Sequence, residues 1–177
     1  MPDNKIIEDL GVAYKTEING YAFYLAAAKI ASNNRGKNIF SHLAKEELDH
    51  IRVVSAIGDA LKIGQGWIGY DEAVKKAVSA GEGAPIFQGK NELVKRLENN
   101  PTDINALNIA IENEDKAIAF YTRLLNDAGS PDEKVVLTKL LEMEKGHLKI
   151  LRWELESLVK TGFWGDTMEF SVEMEKD

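Results

Sequence analysis

The sequence predicts an all-α fold: an antiparallel four-helix bundle made of two helical hairpins joined by a long crossover with short helices. Three observations carry this. Four long segments space their apolar residues alternately three and four apart, the rhythm of a helix face buried in a bundle. Within each of two pairs of segments only a few punctuating residues intervene, which makes the neighbours antiparallel. The second pair also repeats the first at a constant shift of 97 positions, polar residues included. A chain of 177 residues supplies one substantial core and is short for two, so 1–177 reads as a single domain.

The first helix, about 4–33, carries the buried line Ile7, Leu10, Tyr14, Glu17, Tyr21, Tyr24, Ala28. Asn33-Asn34-Arg35-Gly36 ends it, and the second helix, about 36–62, continues with Phe40, Leu43, Glu47, His50, Val54, Ile57, Leu61. The crossover, about 63–102, is too long for a turn. It opens on Gly64, Gly66 and Gly69, holds Gly81, Gly83 and Pro85 in its middle, and is expected to form short helices near Asp71–Ser79 and Asn91–Glu98. The third helix, about 103–128, presents Ile104, Leu107, Ile111, Glu114, Ile118, Tyr121, Leu125. After Gly129, Ser130 reads as an N-cap, Pro131 as the first helical residue and Glu133 as the partner in a capping box. The fourth helix, about 131–160, then presents Leu137, Leu140, Glu144, His147, Leu151. In the tail, 161–177, the aromatics Phe163, Trp164 and Phe170 are expected to dock on the bundle or on a partner subunit.

The repeat is gapless across both hairpins. It aligns Ile7 with Ile104, Leu10 with Leu107, Ala13 with Ala110, Glu17 with Glu114 and Ala22-Phe23-Tyr24 with Ala119-Phe120-Tyr121. It also aligns Leu43 with Leu140, Glu47 with Glu144 and His50 with His147. Similarity between unrelated helices would match apolar positions, but has no reason to match the buried Glu and His.

Composition narrows the function. The net charge of -7 and the lack of any Lys/Arg block exclude a nucleic-acid surface. With Cys 0, disulfides, thiolate nucleophiles and sulfur-based metal sites are all excluded, and any metal must use oxygen and nitrogen ligands. The polar start Met1-Pro2-Asp3-Asn4-Lys5 is unlike a signal peptide, and no apolar run reaches spanning length, so a cytoplasmic protein bound to no membrane is expected.

On a helix Glu47 and His50, three residues apart, lie on one face, as do Glu144 and His147. Adding Glu17 and Glu114 gives four carboxylates and two imidazoles on buried positions, with no Lys or Arg on those lines to compensate. Such a set is costly if left unpaired. Two divalent cations would balance the four carboxylates, and the mixed oxygen and nitrogen ligands suit two iron ions, with manganese or a mixed pair as the alternative, rather than a structural zinc. Glu46, Glu112 and Glu142 fall off the buried lines and are expected in solvent, and His42 reads as a surface or boundary residue. Tyr24 and Tyr121, each seven residues beyond a candidate ligand, leave two readings open: a hydrogen bond to a ligand carboxylate, or plain core packing.

Taken as a set, Glu17 with Tyr24, Glu47-Leu48-Asp49-His50, Glu114 with Tyr121 and Glu144-Lys145-Gly146-His147 resemble the rubrerythrin branch of the ferritin-like di-iron carboxylate superfamily. The resemblance spans about Ile6 to Leu158 and implies a ferritin-like bundle. It implies Glu17 and Glu114 as terminal ligands, Glu47 and Glu144 as bridges, and His50 and His147 as caps on one metal each. It further implies reduction of hydrogen peroxide or dioxygen, and a homodimer is the default for such a bundle. Two features depart from rubrerythrins proper. The Cys-ligated rubredoxin domain is excluded, so electrons must come from an external donor protein. The additional Glu one turn from the third-helix ligand is also missing, since Ala110, Ile111, Ala117 and Ile118 stand there. The alternatives are a ferroxidase that handles iron and a non-catalytic bundle pinned by metal.

Overall fold

A computed structural model describes residues 4–76 and 91–165. All regular elements among them are helices: α1 Asn4–Ile30, α2 Asn34–Lys62, α3 Tyr70–Ala73, α4 Glu92–Asn99, α5 Asp103–Asp127 and α6 Pro131–Thr161. None of these helices is long and apolar enough to cross a membrane.

The helix ends follow from local chemistry. Each opening N–H lacks an intrahelical partner, and a preceding side chain supplies one. Asn33 accepts from the Gly36 N–H at 3.0 Å, Asn91 from Val94 at 2.8 Å and Thr102 from Asn105 at 3.2 Å. Ser130 and Glu133 form the expected capping box ahead of α6, with Pro131 in the first turn. At the other end of α6, Gly162 adopts φ 77°, the left-handed turn that glycine enters without steric cost.

α1 packs along α2 and α5 along α6, and the crossover helix α4 bridges α1 and α5. Two apolar clusters fill the bundle. One gathers Leu10, Val54, Ile57, Leu61, Leu124, Leu137 and Leu140. The other gathers Phe23, Phe40, Leu43, Leu107, Leu151 and Trp164. In all four long helices the candidate Glu and His residues fall between the stretches that feed the two clusters, so a polar layer crosses the middle of an apolar bundle.

Several expectations require correction. The first helix stops at Ile30 rather than near 33, because Asn33 is taken as the cap of α2. The helix expected over Asp71–Ser79 is a single turn, Tyr70–Ala73, followed by turns to Lys76. Residues 77–79, and with them Gly81, Gly83, Pro85 and Phe170, lie outside the described residues. Ile104 is 45% exposed, since it sits in the first turn of α5 where the bundle ends. In the tail, Phe163 is exposed whereas Trp164 is buried edge-on against Phe40, at 5.6 Å between ring centroids. Trp164 also donates its indole N–H to Asp103 at 3.0 Å. Its ring lies so close to α2 that a Cβ on Gly36 would stand 2.5 Å from it.

Candidate metal centre

Glu17 on α1, Glu47 and His50 on α2, Glu114 on α5, and Glu144 and His147 on α6 are all buried and meet in the polar layer. The three-residue spacing on α2 and α6 brings each Glu and His to one face, as helical geometry requires. His50 Nδ1 lies 3.1 Å from Glu144 and 3.6 Å from both Glu17 and Glu47. His147 Nδ1 lies 3.3 Å from Glu144, 3.5 Å from Glu47 and 3.9 Å from Glu114. The two imidazoles stack at 5.4 Å between centroids.

These atoms form two overlapping groups whose donors lie within 4.8 Å of one another: Glu17, Glu47, His50 and Glu144, and Glu47, Glu114, Glu144 and His147. Glu47 and Glu144 belong to both. Seven buried donor or acceptor atoms here have no hydrogen-bond partner among the described residues: Glu47 Oε2, Glu114 Oε2, both Glu144 oxygens, both His50 nitrogens and His147 Nδ1. A buried polar atom left unpaired costs about 1–3 kcal/mol, so a cluster of them facing one another is suited to cations rather than to an empty core. The oxygen and nitrogen donor set fits two divalent ions.

The family model for rubrerythrin matches residues 8–155. The chain belongs to the rubrerythrin family. Neither a curated protein nor a solved structure matches it.

Around the six residues, this rubrerythrin-family chain places a supporting layer. Tyr24 of α1 donates to Glu114 of α5, and Tyr121 of α5 donates to Glu17 of α1. Each phenol thus serves a carboxylate across the bundle rather than the one on its own helix. Burial, then the charge of the accepted carboxylate, pushes both phenols well above the ordinary tyrosine range, so they remain donors.

The cluster is electrostatically divided. Burial, reinforced by the charges of Glu144 and Glu47, pushes Glu17 and Glu114 well up. Burial also acts against charge on Glu47 and Glu144, yet the two histidines beside them outweigh it and hold both carboxyls low. The histidines answer in kind: burial disfavours the imidazolium, but the surrounding carboxylates raise both well above 6.5.

Three contributors escaped sequence reasoning. Glu46, expected in solvent, is half-buried and meets His147 Nε2 at 2.8 Å, because a residue beside the buried line on α2 still faces α6. That contact, more than its partial burial, holds the Glu46 carboxyl low. Glu112 and Glu142 are exposed, paired with Arg96 and Lys145, and His42 is exposed and faces Glu46 at 3.5 Å. Gly20, one turn beyond Glu17, lies beside Glu47: a Cβ there would meet its carboxylate at 3.4–3.6 Å, an ordinary contact. The repeat places small Ala117 at the equivalent position, a signal present in the sequence. Glu154 is buried and accepts the Gly165 N–H at 2.8 Å, which fixes the tail. It stands three residues past Leu151, so one further step of the spacing rule would have found it.

Proposed function

We propose that this chain is a di-iron oxidoreductase that reduces hydrogen peroxide or dioxygen with electrons from an external donor protein. The observation that carries the reading is the meeting of six buried side chains from four helices in two overlapping donor groups, with seven atoms on five of those side chains unpaired among the described residues. On this reading Glu17 and His50 would help hold one ion, Glu114 and His147 the other, and Glu47 and Glu144, common to both groups, would serve each. When bound, the two irons would supply the two electrons that cleave an O–O bond, giving two waters from one peroxide and two protons.

The protein's own part is positioning and proton control. Glu17 and Glu114, held by phenols, have a fixed direction and a donor that tempers their charge. The two apolar clusters above and below the layer exclude water from it. Tyr24 and Tyr121 each keep a proton within hydrogen-bond reach of a carboxylate, where a reduced oxygen would need one. Cys 0 leaves these 177 residues no sulfur-ligated redox centre, so on this reading the electrons come from an external donor protein, and a homodimer, the common state for such bundles, would be the functional unit.

The test loads the protein anaerobically with Fe(II) and compares, by stopped flow, the rise of ferric absorption on mixing with hydrogen peroxide or with dioxygen. Glu47→Ala serves as the control. Faster oxidation by peroxide, lost in the variant, is expected. Preference for dioxygen would redirect the reading to a ferroxidase, and oxidation by neither would leave a metal-pinned scaffold.

A further inference from the structure

The two candidate metal positions are equal in their nearest residues and unequal in the layer behind them. The shift of 97 pairs every nearest residue with its counterpart: Glu17 with Glu114, Glu47 with Glu144, His50 with His147, and Tyr24 with Tyr121. Behind the histidines the match fails. His147 Nε2 meets Glu46 Oε2 at 2.8 Å, and the other oxygen of Glu46 faces His42 at 3.5 Å. His50 Nε2 is buried and has no hydrogen-bond partner among the described residues. At the position equivalent to Glu46 the repeat carries Met143, whose thioether is at best a weak acceptor.

This difference bears directly on ligation. In both histidines Nδ1 faces the shared carboxylates, so Nδ1 is the atom available to a cation. A neutral imidazole that offers Nδ1 must carry its proton on Nε2. At His147 that N–H has a charged acceptor, which fixes the tautomer, locks the ring and raises the basicity of Nδ1. At His50 the same N–H would be buried without an acceptor, a cost that offsets part of the binding.

We propose that Glu46 is a positioning residue that makes the two positions unequal, so that the one formed by Glu114 and His147 fills first. The inference rests on the two-metal reading of the site. Removing a carboxylate that supports a ligating histidine typically weakens metal binding by about 10–100-fold, and the same factor is expected between the two positions.

The experiment titrates the metal-free full-length chain with Co(II), followed by calorimetry and visible absorption. Two steps are expected, separated by at least about 10-fold in Kd. Glu114→Gln should remove the tight step and Glu17→Gln the weak one. Glu46→Ala should weaken the tight step by about 10–100-fold and spare the weak step, while Glu46→Gln, which keeps an acceptor without its charge, should fall between. That graded order is one that simple loosening of the fold would not produce. Two equal steps in the unaltered chain, or a tight step indifferent to Glu46→Ala, would overturn the proposal while leaving the two-metal site intact. Absence of any Co(II) binding would overturn the two-metal reading itself.

Discussion

Loading the site with metal should reverse the way stability depends on pH. In the metal-free protein Glu17 and Glu114 keep their protons well above the ordinary 4.5, and His50 and His147 well above 6.5. Glu47 and Glu144 are the ionised carboxylates. The raised groups are the ones that favour a bound proton in the fold, and those protons must leave before the six side chains can bind two divalent cations. A raised value in the fold means that the folded chain binds protons more tightly than the unfolded one, so this stability is lost as pH rises. The loss begins near 4.5 for Glu17 and Glu114 and near 6.5 for the histidines, and continues through their folded values. Glu47 and Glu144 act in the opposite sense, and their contribution is lost as pH falls below 4.5. Each group protonated in the fold but ionised when unfolded contributes a slope of about 1.4 kcal/mol per pH unit. Two such groups would lower Tm by roughly 5–10 °C per pH unit in a chain of this size. Metal at about 100 times Kd adds about 2.7 kcal/mol per site, and because binding displaces protons, this gain grows with pH. The assay is calorimetric melting of chelator-treated and Mn(II)-loaded protein from pH 5.5 to 8, with proton release measured in weak buffer. The metal-free Tm should fall with pH and the loaded Tm should rise or hold. Parallel curves, or loading that releases no protons, would refute the inventory.

Tyr24→Phe and Tyr121→Phe each deprive a buried carboxylate of its donor and should cost about 1–3 kcal/mol in urea unfolding, against a few tenths if the hydroxyls contributed nothing beyond packing. Gly20→Ala should stabilise the metal-free bundle by about 0.5–1 kcal/mol, since a methyl there meets the Glu47 carboxylate at ordinary contact distance and helix interiors favour Ala; a lower urea midpoint would contradict this. Burial, partly countered by the Gly165 N–H and Arg35, raises Glu154, so its stability cost grows as pH climbs above 4.5 through its folded value. Glu154→Gln keeps an acceptor for Gly165 and should therefore be the more stable protein at pH 8 but not at pH 4, as read by urea midpoints at the two values.

The sequence made the long helices and the six candidate ligands legible for one reason: both are encoded by spacing. Glu47 and His50 on a line with Phe40, Leu43 and Val54 leave a helix only one way to bury them, and the structure buries the whole line. Glu46 was not legible by that rule. A two-class division into buried line and solvent has no place for a residue at the flank of a helix pair, where a half-exposed carboxylate still reaches His147. The crossover was legible in the helix expected near Asn91–Glu98, observed at Glu92–Asn99, but not in the extent of α3. There Tyr70–Ala73 is held against the bundle by Lys139, over the Tyr70 ring at 4.1 Å and 2.8 Å from Asp71, contacts no local pattern announces. Trp164 was legible only as an aromatic in need of cover. Its seat depends on Gly36, Phe40 and Asp103, each far away in the chain.

The internal repeat also constrains where functional difference can arise. Tyr24 and Tyr121 reach across to each other's hairpin, so a change at one half alone would leave a carboxylate without its donor. Such reciprocity keeps the nearest residues matched, and a matched shell cannot distinguish its two halves. Two departures from the repeat stand out in the structure: Glu46 against Met143 behind the histidines, and Ile57 against Glu154 where the tail docks. The second serves the tail at Gly165. Of these two only the first touches the candidate centre, and its contact with His147 is a route by which the repeat can make the two candidate positions unequal.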